Sequence, residues 1–201
     1  MSTVARQLLT ARLANSNLED TMALQDLSWG VQQTTPFSCG AASCLFILKM
    51  LGVEKSTHNV NNVMSKTSSA GPLPIFGSSP YKIGKYIEHR CQAVVNNARV
   101  YRLPGPRIPK YKGWLHLLEP GLDHFLYYHN STFTTNHAIL RFVVPRSKTN
   151  VTAHYVVQTH FGSRGSKIMD PTSGTHLDQT FEQYLSSHDF MRTGLDLVIH
   201  G

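Results

Sequence analysis

Three residue types in this chain could together break an acyl bond: a cysteine, Cys39, a histidine, His154, and a carboxylate, Asp170. Cys39 ends the polar run Gln33-Thr34-Thr35-Pro36-Phe37-Ser38 and opens the apolar run Gly40-Ala41-Ala42-Ser43-Cys44-Leu45-Phe46-Ile47-Leu48. That pattern predicts a loop turning into a buried helix with the thiol in its first turn. Amide N–H groups at a helix start lack intrahelical acceptors, and the macrodipole adds partial positive charge there, so an anionic sulfur is favoured. Such a nucleophile needs a base, a group that orients the base, and donors for the oxyanion formed at the attacked carbonyl. His154 opens a predicted strand and Asp170 closes the next. If the two strands pair antiparallel, their side chains come within hydrogen-bonding reach at one sheet end. Gln33, six residues before Cys39, supplies one oxyanion donor and the Cys39 N–H the other.

Rivals stand beside each choice. His160 lies six residues after His154 on the same strand and faces the same way, which makes it the chief alternative base. His154 is favoured by its place at the strand entrance and its spacing to Asp170. Gln32 competes with Gln33, and the spacing to Cys39 favours Gln33. Cys44 and Cys91 read as core residues. Trp29 and Phe37 fit a cleft lining or core packing equally well.

The elements that must position these groups follow from periodicity. Helices are expected over 40–51, stopped by Gly52, and over 59–66 and 81–91. A proline-rich stretch, 103–109, marks a change of character. A helix is expected near 122–128, then β-branched and aromatic strands over 138–144, 153–160, 167–169 and 195–199, with an amphipathic helix over 177–187 carrying Leu177, Phe181, Tyr184 and Leu185 on one face. A helical lobe followed by an antiparallel sheet lobe gives an α+β fold. The loops 68–79 and 99–114, rich in Gly and Pro, fall where cleft walls are expected. Residues 1–28 read as a helical appendage or linker, and 29–201 as the main domain.

Composition narrows the class. The 201 residues are 41% apolar and 15% charged, as in an ordinary globular protein. The formal charge of +7, from 19 Lys and Arg against 12 Asp and Glu, is spread singly along the chain, and prolines interrupt its densest stretch. Neither nucleic acid nor a membrane is therefore expected as a partner. Three cysteines cannot form a disulfide framework, and no Cys/His spacing suits a metal, so no cofactor is expected and the folding compartment is reducing. Residues 1–28 lack a continuous apolar stretch, so no secretory signal is expected and the chain reads as cytoplasmic, with any export left to a dedicated machine.

At Gln33, Cys39-Gly40-Ala41-Ala42, His154-Tyr155-Val156-Val157 and Asp170-Pro171, the chain resembles the papain-like cysteine peptidases, within them the compact bacterial branch of double-glycine leader peptidases. The resemblance runs from about Trp29 onward. It implies a papain-like fold, Cys39 as nucleophile, His154 as base, Asp170 as orienting residue, Gln33 as oxyanion donor, a protein substrate and no cofactor. Leader peptidases are usually fused to a membrane transporter, which this chain lacks, so cleavage after a double glycine does not carry over. By analogy with compact members of the group, a toxin or effector role is implied, with delivery by a specialised secretion system and an immunity protein as a further partner. The same residues would also serve an amidase, deamidase or acyltransferase, including enzymes that cut cell-wall peptides, or survive in a binding module without activity.

Overall fold

A computed structural model describes residues 24–54, 58–68, 77–93, 98–105, 119–128, 136–147, 153–161 and 165–200. Helix α1, Cys39–Met50, is the centre of the first lobe: among its twelve residues only Lys49 is not buried. A helix apolar on all sides must be covered on all sides. Helices α2, Val60–Thr67, and α3, Pro80–Ala93, pack on α1 and on each other. Gly52, at φ +65°, gives the left-handed turn that ends α1, with the Gly52 N–H bonded to the Lys49 carbonyl. Leu24 is buried in the same core, and the Gln25 N–H bonds to the Met50 carbonyl.

The second lobe is a seven-stranded sheet. Its strands are β1, Arg99–Arg102; β2, His137–Pro145; β3, His154–His160; β4, Ser166–Asp170; β5, Thr175–Leu177; β6, Phe190–Arg192; and β7, Leu197–His200. The order is β1-β7-β2-β3-β4-β5, with β6 paired to the far end of β2, and every ladder is antiparallel. One face packs on α1 through Leu140, Phe142, Tyr155, Val157 and Met169. The other is covered by helix α5, Phe181–Ser187, through Val143, Val156, Ile168, Phe181, Tyr184 and Leu185. Alternation along β3 sorts its residues between these faces, as a two-residue period requires. The fold is thus α+β, with a helix opening on a cysteine packed against an antiparallel sheet.

The helix expected near 122–128 is not there. Helix α4 is only Glu119–Leu122, and 126–128 run extended beside β1, the Arg102 N–H bonded to the Leu126 carbonyl and the Tyr128 N–H to that of Arg102. Leu126 and Tyr127 are exposed, so no apolar stripe holds a helix against the core. Three strands escape the sequence reading. Strand β1 falls in the stretch taken for a cleft wall, β5 takes the start of the expected helix 177–187, and β6 is only three residues long. Thr180 begins that helix later: its hydroxyl accepts the Gln183 N–H while the Gln183 side chain accepts the Thr180 N–H, a reciprocal cap. Residues 1–23 of the expected appendage, 69–76 of the first expected loop and 106–114 of the second lie outside the described residues.

Candidate active site

Cys39 is the first residue of α1 and is buried. The turn before it is built by Ser38, whose hydroxyl accepts the N–H groups of Thr34 and Thr35 at 3.0 and 2.9 Å and donates to the Thr35 carbonyl. Gly40 explains why the helix start can lie so close to the sheet. A Cβ there would sit 2.8 Å from the Ser78 Cβ and 3.0 Å from the Tyr155 ring. Tyr155 in turn donates its hydroxyl to the Ser78 carbonyl at 2.8 Å. The described end of the 68–79 loop therefore wedges between α1 and the strand that carries His154. Phe37, two residues before Cys39, is exposed beside this junction, its carbonyl against Gly77.

His154 and Asp170 lie side by side at the sheet margin, on the face that α5 covers. His154 Nε2 is 3.0 Å from Asp170 Oδ1. The same Oδ1 accepts the Thr172 N–H at 2.8 Å, and Oδ2 accepts the Tyr184 hydroxyl at 2.8 Å. With Nε2 turned to the carboxylate, Nδ1 is the nitrogen left for sulfur. Burial alone would pull the imidazole pKa down, but hydrogen bonds to Asp170 and Cys39, with their negative charges, raise it to about 9. Burial likewise pushes the Asp170 carboxyl up, yet His154, the Thr172 N–H and the Tyr184 hydroxyl hold it well below the usual carboxylate range. The arrangement favours an imidazolium beside an ionised carboxylate. The Phe190 ring covers it, nearly parallel to the imidazole at 5.9 Å between centroids.

Gln33 reaches this place through the turn after Asp170. The Gly30 N–H bonds to the Gly174 carbonyl at 3.2 Å, the Gln33 N–H to the Pro171 carbonyl at 2.7 Å, and Gln32 Nε2 to the Thr172 carbonyl at 3.3 Å. A Cβ at Gly30 would lie 2.5 Å from the Gly174 oxygen, so only glycine allows the approach. Gln33 Oε1 is buried and has no hydrogen-bond partner among the described residues, whereas Gln32 is exposed. The Gln33 amide oxygen is thus not used to hold the fold together.

The rivals are placed elsewhere. His160 sits at the other end of β3, roughly 20 Å along the strand from His154, stacked on His137 with centroids 5.1 Å apart. Trp29 lies under the Lys49 ammonium, 4.6 Å from its ring centroid, in the last turn of α1 and about 15 Å from Cys39 along the helix. It is about half exposed and so is not a core residue. Cys44 and Cys91 are buried in the first core, where burial pushes both thiols up, Cys91 to about 11. Among the described residues no cluster of three His, Cys, Asp or Glu is placed to hold a metal ion, and no helix is long and apolar enough to cross a membrane.

The sequence reading missed Tyr184, Phe190 and Thr172. Tyr184 carried a signal: a tyrosine in a buried stripe needs a partner for its hydroxyl, and the nearby carboxylate was already in view.

No protein-family model and no curated protein matches the chain. Among solved structures it is similar to the crystal structure of a double glycine motif protease from an AMS/PCAT transporter in complex with the leader peptide. The TM-score is 0.46 at 16% identity, covering 89% of this chain and 93% of that one.

Proposed function

We propose that the protein is a thiol hydrolase that cuts peptide bonds in a protein substrate through an acyl-enzyme on Cys39. The observation that carries this reading is one imidazole held 3.0 Å from a buried carboxylate, its pKa raised by that carboxylate and by a cysteine at a helix start. His154 Nδ1 takes the Cys39 proton and holds the sulfur as a thiolate–imidazolium pair. Sulfur attacks the substrate carbonyl. The oxyanion is met by the Cys39 N–H, which has no intrahelical acceptor, and by the Gln33 side-chain amide. The imidazolium gives its proton to the leaving amine, a thioester remains, and His154 then draws a proton from the water that hydrolyses it. Asp170 keeps the ring in the orientation that both proton transfers need.

Incubating the protein with a proteome and with peptidoglycan, then mapping new termini, tests this reading. Wild type is expected to create new protein termini that are absent with Cys39→Ala. Cuts in peptidoglycan alone would make it a cell-wall amidase. No cut in either, with no labelling of Cys39 by a thiol-reactive probe, would make the chain a binding module.

A further inference from the structure

Asp170 is buried, and a carboxylate turns about its last bond unless both oxygens are occupied. Its Oδ1 holds the imidazole and the Thr172 N–H, while its Oδ2 holds one partner among the described residues, the Tyr184 hydroxyl. Tyr184 is fully buried in the first turn of α5, the helix fixed by the Thr180–Gln183 cap. Its ring is stacked against His188 at 4.2 Å and lies nearly parallel to Phe190 at 6.1 Å between centroids. Asp189, between those two, adopts φ +53°, a left-handed corner that turns the chain so Phe190 can cover both Tyr184 and His154. The phenol reaches Asp170 from the side of the sheet opposite α1.

From this geometry we propose that Tyr184 is a positioning residue: its hydroxyl pins Asp170 Oδ2, so that Oδ1 stays aimed at His154 and Nδ1 stays aimed at sulfur. This role rests on the thiol hydrolase reading of Cys39, His154 and Asp170. The competing account is that Tyr184 fills the second core and its hydroxyl bonds to whichever acceptor is nearest. Tyr184→Phe separates the two, because the ring, its stacking and the packing with Phe181 and Leu185 are kept and only the oxygen is removed.

The test is made on the full chain with two readouts. The proton on His154 Nε2, observed by NMR with nitrogen-labelled histidine, is expected to be far downfield and slow to exchange in wild type. In Tyr184→Phe it is expected to broaden into solvent exchange, and kcat to fall on the order of tenfold with KM unchanged, since the phenol touches no substrate. Thr193→Val, which removes another buried hydroxyl bonded to the Phe142 carbonyl, is expected to leave both as they are. A retained Nε2 resonance, a kcat within about twofold of wild type, or an equal loss in Thr193→Val overturns the proposal. Should Tyr184→Phe not fold, 3-fluorotyrosine at 184 keeps the shape and donates more strongly. It should draw charge from Asp170 and move the Nε2 proton upfield, and no movement overturns the role. If wild type hydrolyses nothing yet Tyr184→Phe loses the resonance, the hydrolase reading falls while the pinning of Asp170 stands.

Discussion

Strand β3 begins with His154 and ends with His160, on one face of one sheet, and the two imidazoles live in different chemistry. At the first end the ring meets a buried carboxylate, an aromatic cover and a sulfur. At the other it meets His137, which also lies opposite His200 on β7. Neither residue type nor sheet face separates them. The difference lies in what the neighbouring elements bring. The turn 171–174 strapped to 30–33 and the start of α1 both arrive at the His154 end, and neither arrives at the other.

The sharpest way to break that contrast is to exchange the outcomes of the two ends. His154→Ala and Cys39→Ala are each expected to lower kcat/KM on the order of 10⁴-fold while the circular dichroism spectrum is kept, because members of one nucleophilic unit fail together. His160→Ala should stay within about threefold of wild type, as a surface-type change away from the reacting groups. A peptide-hydrolysis assay in which the two histidine variants lose equally would end the assignment of the base.

Gln33 sharpens the picture at the same end. Gln33→Ala is expected to cost about 10²-fold in kcat, the usual loss of one oxyanion donor, and Gln32→Ala little. Steady-state kinetics on both variants check this, and similar losses would move the donor to Gln32 or to the shared loop.

The pH dependence comes next in size. Because the His154 pKa is raised from 6.5 to about 9, hydrolysis that needs the imidazolium should fall as pH rises through about 9. The same group contributes stability in full below 6.5 and loses it as pH rises through about 9. Asp170, lowered from 3.8, contributes stability above that value and loses it as pH falls through its depressed pKa. Thermal melts of wild type and His154→Gln between pH 5 and about 10 should converge at the alkaline end. Parallel curves would count against the ion pair.

The smallest effect concerns packing. Gly40→Ala puts a methyl 2.8 Å from the Ser78 Cβ and 3.0 Å from the Tyr155 ring, and is expected to cost about 1–3 kcal/mol in urea unfolding. The matching Ala41→Gly should cost about 1 kcal/mol through helix propensity and more through the loss of a buried methyl. A neutral Gly40→Ala would mean that α1 does not need its close approach to β3.

Much of this was readable from the chain, and the reasons are local. The apolar run after Cys39 can form nothing but a buried helix, and the observed Cys39–Met50 lies within one residue of the expected 40–51 at each end. Strands 138–144 and 153–160 are long enough for β-branched runs to declare themselves. Strands of three or four residues such as β1, β5 and β6 carry no periodicity of their own, and the sheet edge recruits them. At the site, residue types and order brought Cys39, His154, Asp170 and Gln33 to notice. The place of Gly40 and Gly30 as gaps for another chain segment, and of Tyr184 as a partner of Asp170 from α5, are properties of contact, and a sequence alone does not hold them.

The strap between 30–33 and 171–174 joins parts of the chain that are made far apart in time. As the polypeptide leaves the ribosome, the helix that bears Cys39 emerges first, while His154, Asp170 and the turn bonded to Gln33 follow more than a hundred residues later. Until that last third is synthesised and the distant pairing closes, the nascent molecule carries Cys39 without His154 or Asp170 beside it, so the activity proposed above would have to wait for the finished fold.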